Sequence, residues 1–165
     1  MKANRGKAGL NFQAATKAKL EVMALDMPGF YFFEIPDGIK PVYRRGQGVV
    51  GMRAAAKTPA DFAFSYQGKT CGFIECKSTN QPRLPISKSG IKPHQIETLR
   101  TLDAFPFNMN TYLLWQCLEA KSSGVWIIPG RRLIPEQNRK SFSLDFAKEM
   151  GLYLGEPWDW DLKLT

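Results

Sequence analysis

The spacing of apolar positions changes period along the chain, and each period predicts an element. Over 14–26, Leu20, Met23 and Ala24 recur at helical spacing among Lys17, Lys19 and Glu21, which predicts a helix stopped by Met27-Pro28-Gly29. The aromatic run Phe30-Tyr31-Phe32-Phe33-Glu34-Ile35 predicts a strand, closed by Pro36 and the turn pair Asp37-Gly38. Alternation follows over 61–66 and 70–77, with Gln67-Gly68-Lys69 between them, so this pair reads as a β-hairpin. The stretch 80–93 is rich in Pro, Ser, Lys and Gly and reads as a loop. Ile96, Leu99 and Leu102 share one face of a helix predicted over 94–103. Apolar runs over 111–118 and 124–128 predict two buried strands, split by the turn Glu119-Ala120-Lys121-Ser122-Ser123. A short helix is expected over 143–150, with Ser143 as its N-cap. This order predicts one α/β domain over 1–165, a central mixed β-sheet flanked by helices.

Composition adds a partner to this picture. The 165 residues are 44% hydrophobic, enough for a core, and carry 23 Lys+Arg against 15 Asp+Glu, a net charge of +8. Such an excess points to a polyanion, either nucleic acid or an acidic membrane surface. No apolar run is long enough to span a bilayer, and the basic N-terminus lacks the apolar stretch of a signal peptide. Cys71, Cys76 and Cys117 are odd in number and show no CxxC spacing, so neither a zinc site nor a disulfide framework is expected. That usage fits a reducing cytoplasm, a host's if the source is viral. His94 is the single histidine, which excludes a multi-histidine metal cluster. The segment 40–58 holds Lys40, Arg44, Arg45, Arg53 and Lys57 and no acid, and reads as a solvated loop or a mobile basic arm lying along phosphates.

The hairpin carries the candidate chemistry. Side chains alternate faces along a strand, so Phe73, Glu75 and Lys77 share one face, as do Asp61, Ala63 and Ser65. If 67–69 form a three-residue connection, Tyr66 pairs with Thr70 and Asp61 falls opposite Glu75. Their Cβ atoms are then about 5 Å apart. Two carboxylates so close repel unless a proton or cation sits between them, and a hard ion such as Mg²⁺ favours such oxygen ligands. A two-residue loop would put the acids on opposite faces. The plain alternative is a surface pair of acids neutralised by Lys77.

Pro59-Ala60-Asp61 followed by Glu75-Cys76-Lys77 resembles the signature of the PD-(D/E)XK nuclease superfamily. Within it the chain is similar to RecU-like Holliday junction resolvases, with the archaeal Hjc type as a close relative. Asn4-Arg5-Gly6, Thr58-Pro59-Ala60-Asp61-Phe62, Leu84-Pro85-Ile86, His94-Gln95-Ile96, Gly124-Val125-Trp126-Ile127-Ile128 and Arg139-Lys140-Ser141 carry the likeness, over about residues 4 to 142.

The resemblance implies a restriction-endonuclease-like fold and a metal-dependent endonuclease that resolves four-way DNA junctions in paired symmetric nicks. Asp61, Glu75 and the backbone carbonyl of Cys76 are the implied ligands of Mg²⁺, with Mn²⁺ able to substitute. Lys77 orients the attacking water or stabilises the transition state, and Gln95 positions water or phosphate, unless it merely caps its helix. The expected DNA contacts are Arg5, Lys7, Arg44, Arg45, Arg53, Lys57, Thr58, Lys88 and Lys92; Arg131, Arg132, Arg139 and Lys140 are further candidates. A junction offers two strands related by a two-fold axis, so a homodimer is expected; no membrane or small-molecule partner is. The family's acid on the first helix is missing: the stretch Lys7-Ala8-Gly9-Leu10-Asn11-Phe12-Gln13 offers Asn11 or Gln13 in its place. Two other readings remain, a nuclease of the same superfamily acting on linear or damaged duplex, and a non-catalytic junction-binding module.

Overall fold

A computed structural model describes residues 5–36, 39–44, 48–54, 60–104, 109–119, 121, 123–134, 140–157 and 159–160. The chain opens with helix α1 (Arg5–Asp26), followed by strands β1 (Phe30–Glu34), β2 (Ile39–Arg44), β3 (Gly48–Ala54), β4 (Phe62–Tyr66), β5 (Thr70–Thr79) and β6 (Arg83–Pro85). Helix α2 (Pro93–Asp103) leads into β7 (Met109–Cys117) and β8 (Gly124–Pro129). After a 3-10 turn at Gly130–Arg132 come β9 (Ser141–Ser143), helix α3 (Leu144–Met150), β10 (Leu152–Glu156) and β11 (Asp159–Trp160).

Seven strands form the main sheet in the order β1-β4-β5-β7-β8-β10-β11. Among the described strands of this sheet only β5 and β7 pair in parallel, so the sheet is mixed. A parallel neighbour cannot be reached by a hairpin, and α2 lies in the crossover between the two. The sheet separates two apolar layers. Phe12 and Leu20 of α1 cover Phe62, Phe64, Ile74 and Leu114 on one face. Ile96 and Leu99 of α2, with Leu144 and Phe146 of α3, cover Leu113, Trp115 and Ile128 on the other.

The structure corrects several expectations. Helix α1 begins at Arg5, nine residues before the predicted start at position 14. Gly6 and Gly9 weaken local helix propensity, but Phe12, Thr16 and Leu20 form a buried stripe at four-residue spacing, and that packing decides the matter. Within the segment 40–58, read as a loop or arm, the described residues form β2 and β3, which pair antiparallel as a separate two-stranded sheet. The segment's basic, acid-free composition masked the strand-forming Val42, Tyr43, Val49 and Val50. The loop expected over 80–93 contains β6, paired with β9. Strands β10 and β11 carry no clear alternating signal. Ser143 caps α3 as predicted, its hydroxyl accepting the Phe146 N–H at 3.2 Å.

Candidate active site

The hairpin register places the acids. Tyr66 pairs with Thr70 and Phe62 with Ile74, so continuing the ladder by one step sets Asp61 opposite Glu75. The connection is a tight turn with Gln67 at φ 52° and Gly68 at φ 65°, closed by the Lys69 N–H donating to the Tyr66 carbonyl at 3.0 Å. Positive φ at both central positions matches the right-handed twist of the strands it joins.

Asp61 stands at the bend just before β4. Its backbone N–H donates to the Ile74 carbonyl at 3.0 Å, and its Oδ2 accepts the Cys76 N–H at 2.7 Å. The carboxylate thus takes over the ladder where the β4 backbone ends. Within an extended strand the N–H and C=O of one residue point to the same neighbour, so the Cys76 carbonyl faces Asp61's side of β5. Burial pushes the Cys76 thiol well above its ordinary range, and Asp61 adds to this. The side chain therefore remains a neutral thiol, packed 3.6 Å from the Thr16 hydroxyl of α1.

Glu75 is only 1% exposed. Its Oε1 accepts from Lys77 Nζ and, at 2.5 Å, from Gln95 Nε2. Its Oε2 is buried with no hydrogen-bond partner among the described residues. A buried carboxylate oxygen without a donor is costly and calls for an unseen water or ion. Burial raises the Glu75 pKa from 4.5 to about 7, against the attraction of Lys77, with Asp61 pushing further up and the Lys77 hydrogen bond and Lys92 pulling down. Desolvation therefore outweighs the adjacent ammonium, although the two are hydrogen-bonded.

Gln95 caps its helix, as the plainer of its two readings expected, and it also reaches Glu75. Pro93 opens α2, where its missing N–H costs nothing, and Gln95 Oε1 accepts the Lys92 N–H at 3.0 Å, closing the first turn. The other end of the same amide holds Glu75.

The remaining candidates are less closely gathered. Lys92 precedes α2, exposed yet near enough to act on Glu75, and Lys88 is exposed on the turn before it. Arg5 and Lys7 fall in the first turns of α1, Arg44 ends β2 and Arg53 lies within β3. Arg45, Lys57, Thr58 and Arg139 lie outside the described residues. Asn11 is exposed and Gln13 half-buried. A polar α1 side chain that meets β5 is Thr16. Arg131 pairs with Asp103 at 3.3 Å, and Arg132 Nη1 lies 3.7 Å from the Met150 sulfur. Asp103 also accepts the Thr111 and Arg131 N–H groups, at 2.9 and 3.1 Å. Nothing in the sequence pattern pointed to this tie between α2 and β7.

The donor set fits a hard divalent cation: two carboxylates, one with a buried unpartnered oxygen, and a carbonyl on the same side. Among the described residues no three His, Cys, Asp or Glu side chains cluster as a metal site, in keeping with the missing first-helix acid.

The metal-free protein has a testable signature. Because the folded-state pKa of Glu75 is raised, the native state binds the proton more tightly than the unfolded chain. This contribution is fully present below pH 4.5 and is lost as pH rises through about 7. In chelator, wild-type stability relative to Glu75→Gln is expected to fall by about 3 kcal/mol between about pH 4 and pH 8. Denaturant titrations at both pH values check this; parallel behaviour of the two proteins would show that Glu75 titrates normally.

The fold and this hairpin define the restriction-endonuclease-like α/β class, a mixed sheet flanked by helices. The chain is similar in structure to Hjc of Archaeoglobus fulgidus, a Holliday junction resolvase from an archaeal hyperthermophile, with a TM-score of 0.54 over 88% of this chain and 95% of that one, at 18% identity. No family model matches the sequence, and no curated protein gives a significant match. No helix among the described residues is long and apolar enough to cross a membrane.

Proposed function

We propose that this chain is a structure-specific endodeoxyribonuclease that resolves four-way DNA junctions, working as a homodimer with Mg²⁺. The observation that carries the proposal is the buried Glu75, with one oxygen held by Lys77 and Gln95 and the other without a partner among the described residues, on the strand beside Asp61. The structural likeness to a Holliday junction resolvase supports branched DNA as the substrate. The net charge of +8 supports a polyanion.

Asp61, Glu75 and the Cys76 carbonyl would hold the ion. When bound, it supplies Lewis-acid stabilisation of charge on the phosphate oxygens and lowers the pKa of water. The chain's own residues set the stage. Asp61, anchored through the Cys76 N–H, keeps its carboxylate at the end of β4. Gln95 fixes the rotamer of Glu75 from α2. Lys77, 19% exposed, reaches the surface of the site and presents an ammonium to a phosphodiester or its attacking water. Lys92 adds positive charge at the rim.

The test is a cleavage assay with equal lengths of four-way junction and linear duplex, in Mg²⁺ and in chelator. Paired symmetric nicks near the crossover, absent in chelator and on duplex, are expected. Equal cutting of linear duplex would favour a duplex-acting nuclease, and cutting in chelator would remove the metal from the mechanism.

A further inference from the structure

A cavity lies on the same face of the sheet as Glu75, several strands away from it. Its volume is about 360 Å³, and it is lined by Lys121, Ser123, Trp126, Leu144, Lys148 and Tyr153. The ladder pairs run Lys77 with Trp115, Trp115 with Trp126, and Trp126 with Tyr153. Directly paired residues point to the same face, so this row places the cavity on the Lys77 face and at the same level along the strands. Three strand spacings of about 4.8 Å put Tyr153 roughly 14 Å from Lys77 at the backbone.

The lining has two kinds of group. Tyr153 is 48% exposed and presents its ring, while Trp126, 4% exposed, backs it with ring centroids 5.4 Å apart. Lys121 and Lys148 are exposed at the rim. Glu156 accepts from the Tyr153 hydroxyl at 2.9 Å and from the Ser123 hydroxyl at 3.0 Å, so its charge is partly engaged and both hydroxyls are oriented. Gly124 lets the rings close in: a Cβ there would meet both Trp126 and Tyr153 at 2.6 Å. An aromatic platform flanked by two ammonium groups suits an unpaired nucleotide, base on ring and phosphate toward lysine.

We propose that the Trp126–Tyr153 cavity, rimmed by Lys121 and Lys148, is a second nucleic-acid site that takes an unstacked nucleotide of a single strand. The inference rests on reading the chain as one that acts on DNA, but not on its cutting it.

The test is fluorescence anisotropy of a short dye-labelled oligothymidylate with the full chain in chelator. Binding is expected, with Tyr153→Ala weakening it at least about fivefold and Tyr153→Phe keeping it within about twofold, as stacking on the ring requires. Lys121→Ala with Lys148→Ala should flatten the salt dependence by about 1.4, the increment for two single-strand phosphate contacts. Tyr153→Ala binding like the wild type would overturn the proposal. So would failure of the wild type to bind the oligonucleotide, which would leave the cavity to a protein partner. A chain that shows the Tyr153 effect yet cuts no junction keeps this site and loses the nuclease.

Discussion

Asp61→Asn and Glu75→Gln are each expected to lower junction cleavage by at least about a thousandfold while leaving junction binding intact or tighter. Each change removes one negative charge from the proposed ion site and keeps the shape. In Asp61→Asn the new amide would still offer an oxygen to the Cys76 N–H, and in Glu75→Gln an oxygen to Gln95. The fold should therefore survive, and the loss should appear in single-turnover cleavage and not in a gel-shift assay. Binding can improve because a carboxylate near a phosphate is repulsive. Full cleavage by both variants would take these acids out of the site.

The second large effect concerns affinity. Replacing Arg44, Arg45 and Arg53 together with Gln is expected to weaken junction binding by at least about tenfold and to flatten its salt dependence by about 2 to 3. The flattening follows from roughly 0.9 per phosphate contact on duplex DNA. Arg44 and Arg53 sit on the paired strands β2 and β3, so their charge is carried on a two-stranded ribbon. An unchanged slope in titrations over a range of salt would show that this ribbon does not touch phosphate.

Much of the central sheet was legible because its strands bury one or both faces. Phe62, Phe64, Ile74 and Leu114 declare themselves by alternation or by continuous apolar runs. At the site the sequence left the loop length open, and the pairing of Tyr66 with Thr70 selects the three-residue connection that sets Asp61 opposite Glu75. What could not be read was tertiary in origin. Glu75 looks like a surface acid in one dimension and is buried only because α2 closes over it. The early start of α1 depends on Phe12 finding the sheet, not on Gly6 and Gly9. Strand β6 forms because β9, far along the chain, supplies its partner. The basic, acid-free composition of 40–58 concealed strands β2 and β3.

The raised Glu75 pKa sets a burden on the folded chain. Above neutral pH the folded chain must keep an ionised carboxylate in a place where a neutral amide would sit more comfortably. A glutamine of the same shape would carry no such burden, so the acid at this one position makes the fold looser in alkaline solution than its packing alone would.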